Sequence, residues 1–252
     1  DVGHRIYNYL VSRWLIKNIA TKTLRIIPDK VLSYLVFDAL PVYVNERKWS
    51  ELSYLSSEYT ITYDFSLQSL ASKQTKSPTC SYVGFAPDFT SNSLLAYLKN
   101  GEASISLAKS LFGGSTYLGN EANSENLRST GSKASVLHLY THGVSSDSSY
   151  DASYIYLQDR KMYVDEILTL PLQTELCLLT ACEVGLGKDY SGEGVTGVAW
   201  AFRGAGASNV VQSMWKLNEN TSAILLKSFF GNLEDGMPSD EALSKAKQDY
   251  LN

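Results

Sequence analysis

The sequence predicts an α/β domain with a parallel sheet, and three observations predict it. Apolar, partly β-branched runs recur at Ala134 to Tyr140, Leu176 to Thr180 and Asn209 to Trp215. Helical-period segments, Val164 to Leu170 and Val195 to Phe202, lie between them, so strand and helix alternate. The separation of 40 positions between His142 and Cys182 can hold a crossover with a helix, which makes neighbouring strands parallel.

Taken in order, Arg5 to Ala20 carries Ile6, Tyr9, Leu10, Trp14 and Leu15 at near-helical spacing with Arg13 and Lys17 between them. That pattern predicts an amphipathic helix, either a link to an upstream segment or a plain packing helix. Thr23 to Ile27 alternates as a strand stopped by Pro28-Asp29, Tyr59 to Phe65 is a second strand, Ser66 to Gln74 is helical and Ser77-Pro78 is a loop. Ser81 to Phe85 reads as a strand, and Leu94 to Leu98 and Glu102 to Phe112 as helices, the second ended by Gly113-Gly114. Gly185 to Gly194 is a glycine-rich turn region, and Gly204 and Gly206 close the helix from Val195. Asn220 to Asn232 and Asp240 to Tyr250 are two further helices, broken by Gly236-Met237-Pro238, with Asp240 as a cap.

A length of 252 residues admits one large domain or two small ones. The 22 basic residues are scattered and outnumbered by 26 acidic ones, a net charge of −4, so nothing recruits a nucleic-acid backbone. Apolar runs such as Val136 to Leu139 fall far short of the about 20 residues a bilayer crossing needs, which argues against a membrane partner. Three cysteines without CxxC spacing, Cys80, Cys177 and Cys182, fit free thiols in a reducing, cytoplasmic setting better than a disulfide framework. The chain opens on Asp1 without a leader and reads as a piece of a longer protein.

The chemistry concentrates where strands end. His142 and Cys182 each stand just past the carboxyl end of an apolar strand, and adjacent strands are about 4.8 Å apart, so their ends share the crevice in which open α/β sheets bind ligands. A thiol beside an imidazole is a nucleophile beside an acid/base group, suited to acyl transfer. Gly143, lacking a Cβ, lets its N–H approach a reacting carbonyl, and the Cys182 amide offers a second oxyanion donor. The bland alternative for a lone cysteine is a core position. Zinc binding by His138 and His142 with Cys177 and Cys182 is disfavoured: four residues along a strand span about 13 Å, too far to share an ion. His138 then reads as a packed core imidazole and Cys177 as a small buried apolar group, and no cofactor or metal is expected.

Several motifs resemble one family. The run from Val136 through His142-Gly143, Leu179-Thr180-Ala181-Cys182-Glu183-Val184-Gly185-Leu186-Gly187, Gly192-Glu193-Gly194-Val195 and Ser213-Met214-Trp215 resemble the CHAT family of caspase-like cysteine proteases, relatives of caspases, separase and gingipains. Leu24 to Asp29, Leu35 to Leu40, Tyr59 to Leu70 and Gly119-Asn120-Glu121-Ala122 look like the family's amino-terminal half. The resemblance covers residues 24–252, divided at 130/131 into an amino-terminal and a catalytic half, with 1–23 as a helix or linker to an upstream segment.

It implies a caspase-like three-layer α/β/α sandwich with a mixed, mostly parallel central sheet, and places the family's catalytic histidine at His142 and its nucleophile at Cys182. It also implies a bacterial endopeptidase acting on a protein or peptide substrate, such as a pore-forming gasdermin-like protein, in defence or cell death, governed by an upstream tetratricopeptide-type or other sensor segment. Tyr140, Thr180, Val184, Glu219 and Ser222 depart from the usual pattern in ways that touch specificity rather than competence. Trp215, with Ser213 and Met214, is expected to line the substrate site by pairing with an extended peptide, and Asp147 and Asp189 to sit in loops near it; a core role for Trp215 and solvated roles for the acids are the plain alternatives. Two other functions stay open: a catalytically silent interaction module, and a different Cys-His acyl-transfer enzyme such as a transpeptidase or amidase.

Overall fold

Three five-residue runs, Tyr82–Ala86, Val136–Tyr140 and Leu176–Thr180, are buried at every position, as strands covered on both faces must be. The computed structural model describes residues 2–12, 22–43, 52–67, 81–91, 94–146, 152–180, 188–190, 194–215 and 218–251. In chain order its amino-terminal half has helix α1 (Val2–Tyr7), strands β1 (Thr23–Ile26), β2 (Pro41–Tyr43) and β3 (Ser53–Tyr54), helix α2 (Leu55–Glu58), and strands β4 (Thr60–Tyr63) and β5 (Tyr82–Ala86). Then come α3 (Gly101–Phe112), β6 (Ser115–Leu118), α4 (Ser124–Thr130), β7 (Val136–Tyr140), β8 (Gly143–Val144), β9 (Tyr154–Tyr156), β10 (Lys161–Tyr163), α5 (Val164–Leu168) and β11 (Leu176–Thr180). The chain continues through β12 (Lys188–Tyr190), β13 (Gly194–Thr196), α6 (Val198–Gly204), β14 (Val210–Gln212), α7 (Glu219–Glu234) and α8 (Ser239–Leu251).

The central sheet has the order β14-β11-β7-β5-β6, and each of its pairings is parallel. Among the described residues, antiparallel pairing is confined to the small ribbons β8-β9-β10, β12-β13 and β2-β3. Because side chains alternate along a strand, one face presents Val83, Phe85, Leu137, Leu139, Cys177 and Leu179, which pack with α4, α5 and α6 through Leu127, Ile167 and Phe202. The other presents Tyr82, Ala86, Val136, Tyr140, Leu176 and Leu178, which pack with α3, α7 and α8 through Ile105, Phe230 and Ala246. Helices on both faces of a parallel sheet make this the three-layer, caspase-like α/β sandwich that the motifs imply. A third cluster, Tyr7, Phe37, Leu40, Val42 and Leu55, seats α1 on the amino-terminal half, where His4 Nδ1 donates to the Pro41 carbonyl at 3.1 Å.

Local chemistry explains several helix ends. The positive φ of Gly113 (70°) and Gly114 (85°), open to glycine without a Cβ clash, stops α3 and turns the chain into β6. The side chain of Asn123 caps α4 by accepting from the Asn126 N–H, and that of Asn218 caps α7 by accepting from the Asn220 and Thr221 N–H groups.

Some expectations fail. Leu94 to Leu98 is irregular rather than helical: five residues nucleate a helix poorly, and the Ala96 carbonyl is committed to a side chain elsewhere. Val195 and Thr196 belong to β13, and α6 begins only at Val198, because extended Gly197 interrupts the run. The third strand ends at Gln212, leaving Ser213, Met214 and Trp215 beyond it. Arg5 to Ala20 is α-helical only to Tyr7 and continues as a π-helical turn over Asn8–Ser12; residues 13–20, including Trp14, lie outside the described residues. So does Ser66 to Gln74 beyond residue 67.

Candidate active site

The candidate site lies at the carboxyl rim of β7 and β11, and the described residues hold its His142 side. β7 and β11 run side by side with Thr180 opposite Tyr140, and the Thr141 N–H donates to the Thr180 carbonyl at 3.1 Å. His142 follows Tyr140 by two residues, and Cys182 follows Thr180 by the same interval.

The backbone of His142 is gripped on both sides. Thr141 is buried and its hydroxyl donates to the Tyr156 carbonyl at 2.5 Å, while the Tyr156 N–H donates to the His142 carbonyl at 2.8 Å. Strand β8 starts at once, with Gly143 opposite Ile155 on β9. The Tyr156 N–H bond to the His142 carbonyl spans the pair next to Gly143 and Ile155, which makes Gly143 and Ile155 a non-hydrogen-bonded pair of this antiparallel ladder. The Gly143 N–H therefore faces away from β9, and Gly143 itself is buried.

The imidazole of His142 is half-buried and held from a third direction. Its Nε2 lies 2.7 Å from the Ala96 carbonyl oxygen, and its ring packs against buried Phe89 at 5.2 Å between centroids. A carbonyl only accepts, so Nε2 carries the proton and in the neutral ring Nδ1 keeps the lone pair. That fixes the tautomer without a carboxylate. Ala96 and Phe89 escape a sequence reading: a main-chain carbonyl has no residue signature, and the only hint at Phe89 is its place just after β5.

Cys182 lies in the segment 181–187, outside the described residues, as does Asp147. Asp189 is in β12 opposite Val195 of β13, and hence in a strand rather than a loop. Ser213, Met214 and half-exposed Trp215 line one end of a cavity of about 850 Å³ that runs along β14 and reaches β4 of the amino-terminal half. Trp215 is thus not a core residue. His138, by contrast, is fully buried, with Nδ1 2.9 Å from the Tyr82 hydroxyl and Nε2 3.0 Å from Thr180 Oγ1. Burial holds its pKa down to about 3, so it is neutral, and both ring nitrogens already have protein partners, which disposes of the zinc alternative at this residue. Cys177 is buried as a free thiol, and burial pushes its pKa upward, away from reactivity. Among the described residues no helix is long and apolar enough to cross a membrane.

The chain belongs to the CHAT domain family, whose model matches residues 1–252, the first 23 included. That family is caspase-like and protease-related, and fold and family agree. No curated protein matches the chain.

Proposed function

We propose that this domain is a cysteine endopeptidase acting by a Cys182–His142 dyad. The observation that carries the reading is the register of β7 and β11, which sends the His-Gly and Ala-Cys motifs off register-matched strand ends at the same interval. In the proposed reaction the Cys182 thiolate attacks the scissile carbonyl, the C–N bond breaks as His142 protonates the amine, and water hydrolyses the thioester. With Nε2 bound to the Ala96 carbonyl, Nδ1 is the nitrogen that gives and takes the proton. The Gly143 N–H, turned away from β9, is one oxyanion donor and the Cys182 amide the other.

The substrate is a protein segment bound in extended form along Ser213, Met214 and Trp215, whose placement beyond the open end of β14 supports strand-like pairing. Asp147 and Asp189 remain candidates for contacts at its charged side chains. The family reading extends to a cytoplasmic role in bacterial defence under an upstream sensor segment coupled through residues 5–20, on a target such as a gasdermin-like protein. Deleting that segment is expected to change regulation more than turnover.

Peptide chloromethyl or acyloxymethyl ketone libraries test the chemistry. Labelling at Cys182 with a residue preference, abolished in Cys182→Ala and in His142→Ala of unchanged thermal stability, is the expected result. A Cys182→Ala protein that still cleaves would sink the assignment, and capture by small amides alone would favour another acyl-transfer enzyme.

A further inference from the structure

Resting on that reading, the structure assigns a positioning role to a buried polar chain, Tyr82–His138–Thr180, which runs across the three central strands and ends two residues before Cys182. Its members face the sheet side otherwise filled by Val136, Tyr140, Leu176 and Leu178. His138 is wholly buried, with the rings of Tyr82, Tyr140 and Phe230 at centroid distances of 6.2, 6.1 and 5.6 Å. Three apolar residues would fill this position without any need to satisfy hydrogen bonds. The polar chain therefore supplies something that packing does not, namely a directional tie on Thr180.

Proton placement follows from burial. A neutral imidazole has one N–H and one lone pair. The Tyr82 hydroxyl has no other partner among the described residues and its residue is fully buried, so leaving its hydrogen unpaired is the costlier arrangement. Tyr82 thus donates to Nδ1, and Nε2–H donates to Thr180 Oγ1. Thr180, less deeply buried at the strand end, is fixed twice: its side chain by His138 and its carbonyl by the N–H of Thr141, the residue next to His142.

A second observation shows that room is made for this chain. Gly84 sits opposite His138 on β5, and a Cβ there would stand 2.6 Å from the Tyr82 hydroxyl oxygen and 2.8 Å from an Ile105 methyl. The missing side chain is what lets the Tyr82 hydroxyl cross the strand to reach the imidazole. The chain so formed holds the Thr180 side chain in one rotamer and the end of β11 in one register with β7, at the strand end two residues before Cys182.

The test uses the full 252-residue chain and reads two quantities: the site-resolved rate of Cys182 alkylation by iodoacetamide as a function of pH, and kcat and KM on a peptide selected by the ketone libraries. Thr180→Val and His138→Leu are expected to lower kcat on the order of a hundredfold with KM unchanged, and to move the alkylation profile toward that of an ordinary thiol. Thr180→Ser, which keeps the hydroxyl, is expected to restore both. A Thr180→Val protein with wild-type kcat and profile overturns the positioning role, as does a Thr180→Ser protein as impaired as Thr180→Val, or a loss that only tracks a fall in melting temperature. If the wild-type protein shows no activated thiol at Cys182, the endopeptidase reading falls as well, which separates the two failures.

Discussion

Glycine positions in this fold divide by what a Cβ would strike. At Gly84 it would meet the flexible ends of Tyr82 and Ile105, within 2.6 to 2.9 Å, which side-chain movement can partly relieve. At Gly114 it would stand 2.0 Å from the Tyr82 carbonyl oxygen, on a backbone with φ of 85°, so neither neighbour nor dihedral can yield. Gly84→Ala is expected to cost about 1–3 kcal/mol by overpacking, and Gly114→Ala more than about 4 kcal/mol. Urea midpoints at constant m-value check the order; equal losses would contradict it. The placement of the two histidines was readable from the chain: His142 stands just past a strand end and His138 within the strand. Their partners Ala96, Tyr82 and Thr180 are not readable, because contacts over separations of 46, 56 and 42 residues are made by folding, not by spacing.

Elements were legible in proportion to how locally they are determined. β11 and the helix ended by Gly113-Gly114 follow from continuous apolar pattern and glycine stop signals. The β8-β9-β10 ribbon was missed, since its strands of two to three residues carry no readable period and are held by tertiary pairing. Leu94 to Leu98 departs from its helical pattern for the complementary reason: the Ala96 carbonyl is taken by His142. Caps are a local device with local energy. Asn218→Ala removes the acceptor for two N–H groups at the start of α7, at 3.0 and 3.3 Å, and is expected to cost about 1 kcal/mol, whereas Asn218→Asp retains stability. Thermal unfolding of the two variants side by side checks this, and an equal loss in both would contradict the cap.

For the whole molecule, the neutral imidazole at the centre couples folding to pH. In the unfolded chain His138 has an ordinary pKa of 6.5, and burial lowers it to about 3 in the fold. Between these values the unfolded state binds the extra proton, so this group's contribution is fully present above pH 6.5 and is lost as pH falls toward 3. The limiting slope is about 1.4 kcal/mol per pH unit. Denaturant titrations from pH 7 to pH 4 should show this acid loss in the wild type and a shallower one in His138→Leu; identical slopes would refute it. The two halves are also tied across the molecule. Lys247 of α8 lies 2.5 Å from Asp38, which accepts a hydrogen bond from the Tyr63 hydroxyl at 2.6 Å, so the carboxyl-terminal helix clamps the amino-terminal strands.

By itself the sequence determined the fold class, the three buried central strands and the two motifs at their ends, because apolar period, strand length and glycine stops act over a few residues. Tertiary structure alone decided the β7–β11 register, the tautomer imposed on His142 by the Ala96 carbonyl, the direction of the Gly143 N–H and the polar chain beneath Thr180. Each of these is a hydrogen bond or pairing between segments remote in the chain, and its geometry exists only once the core has closed around it.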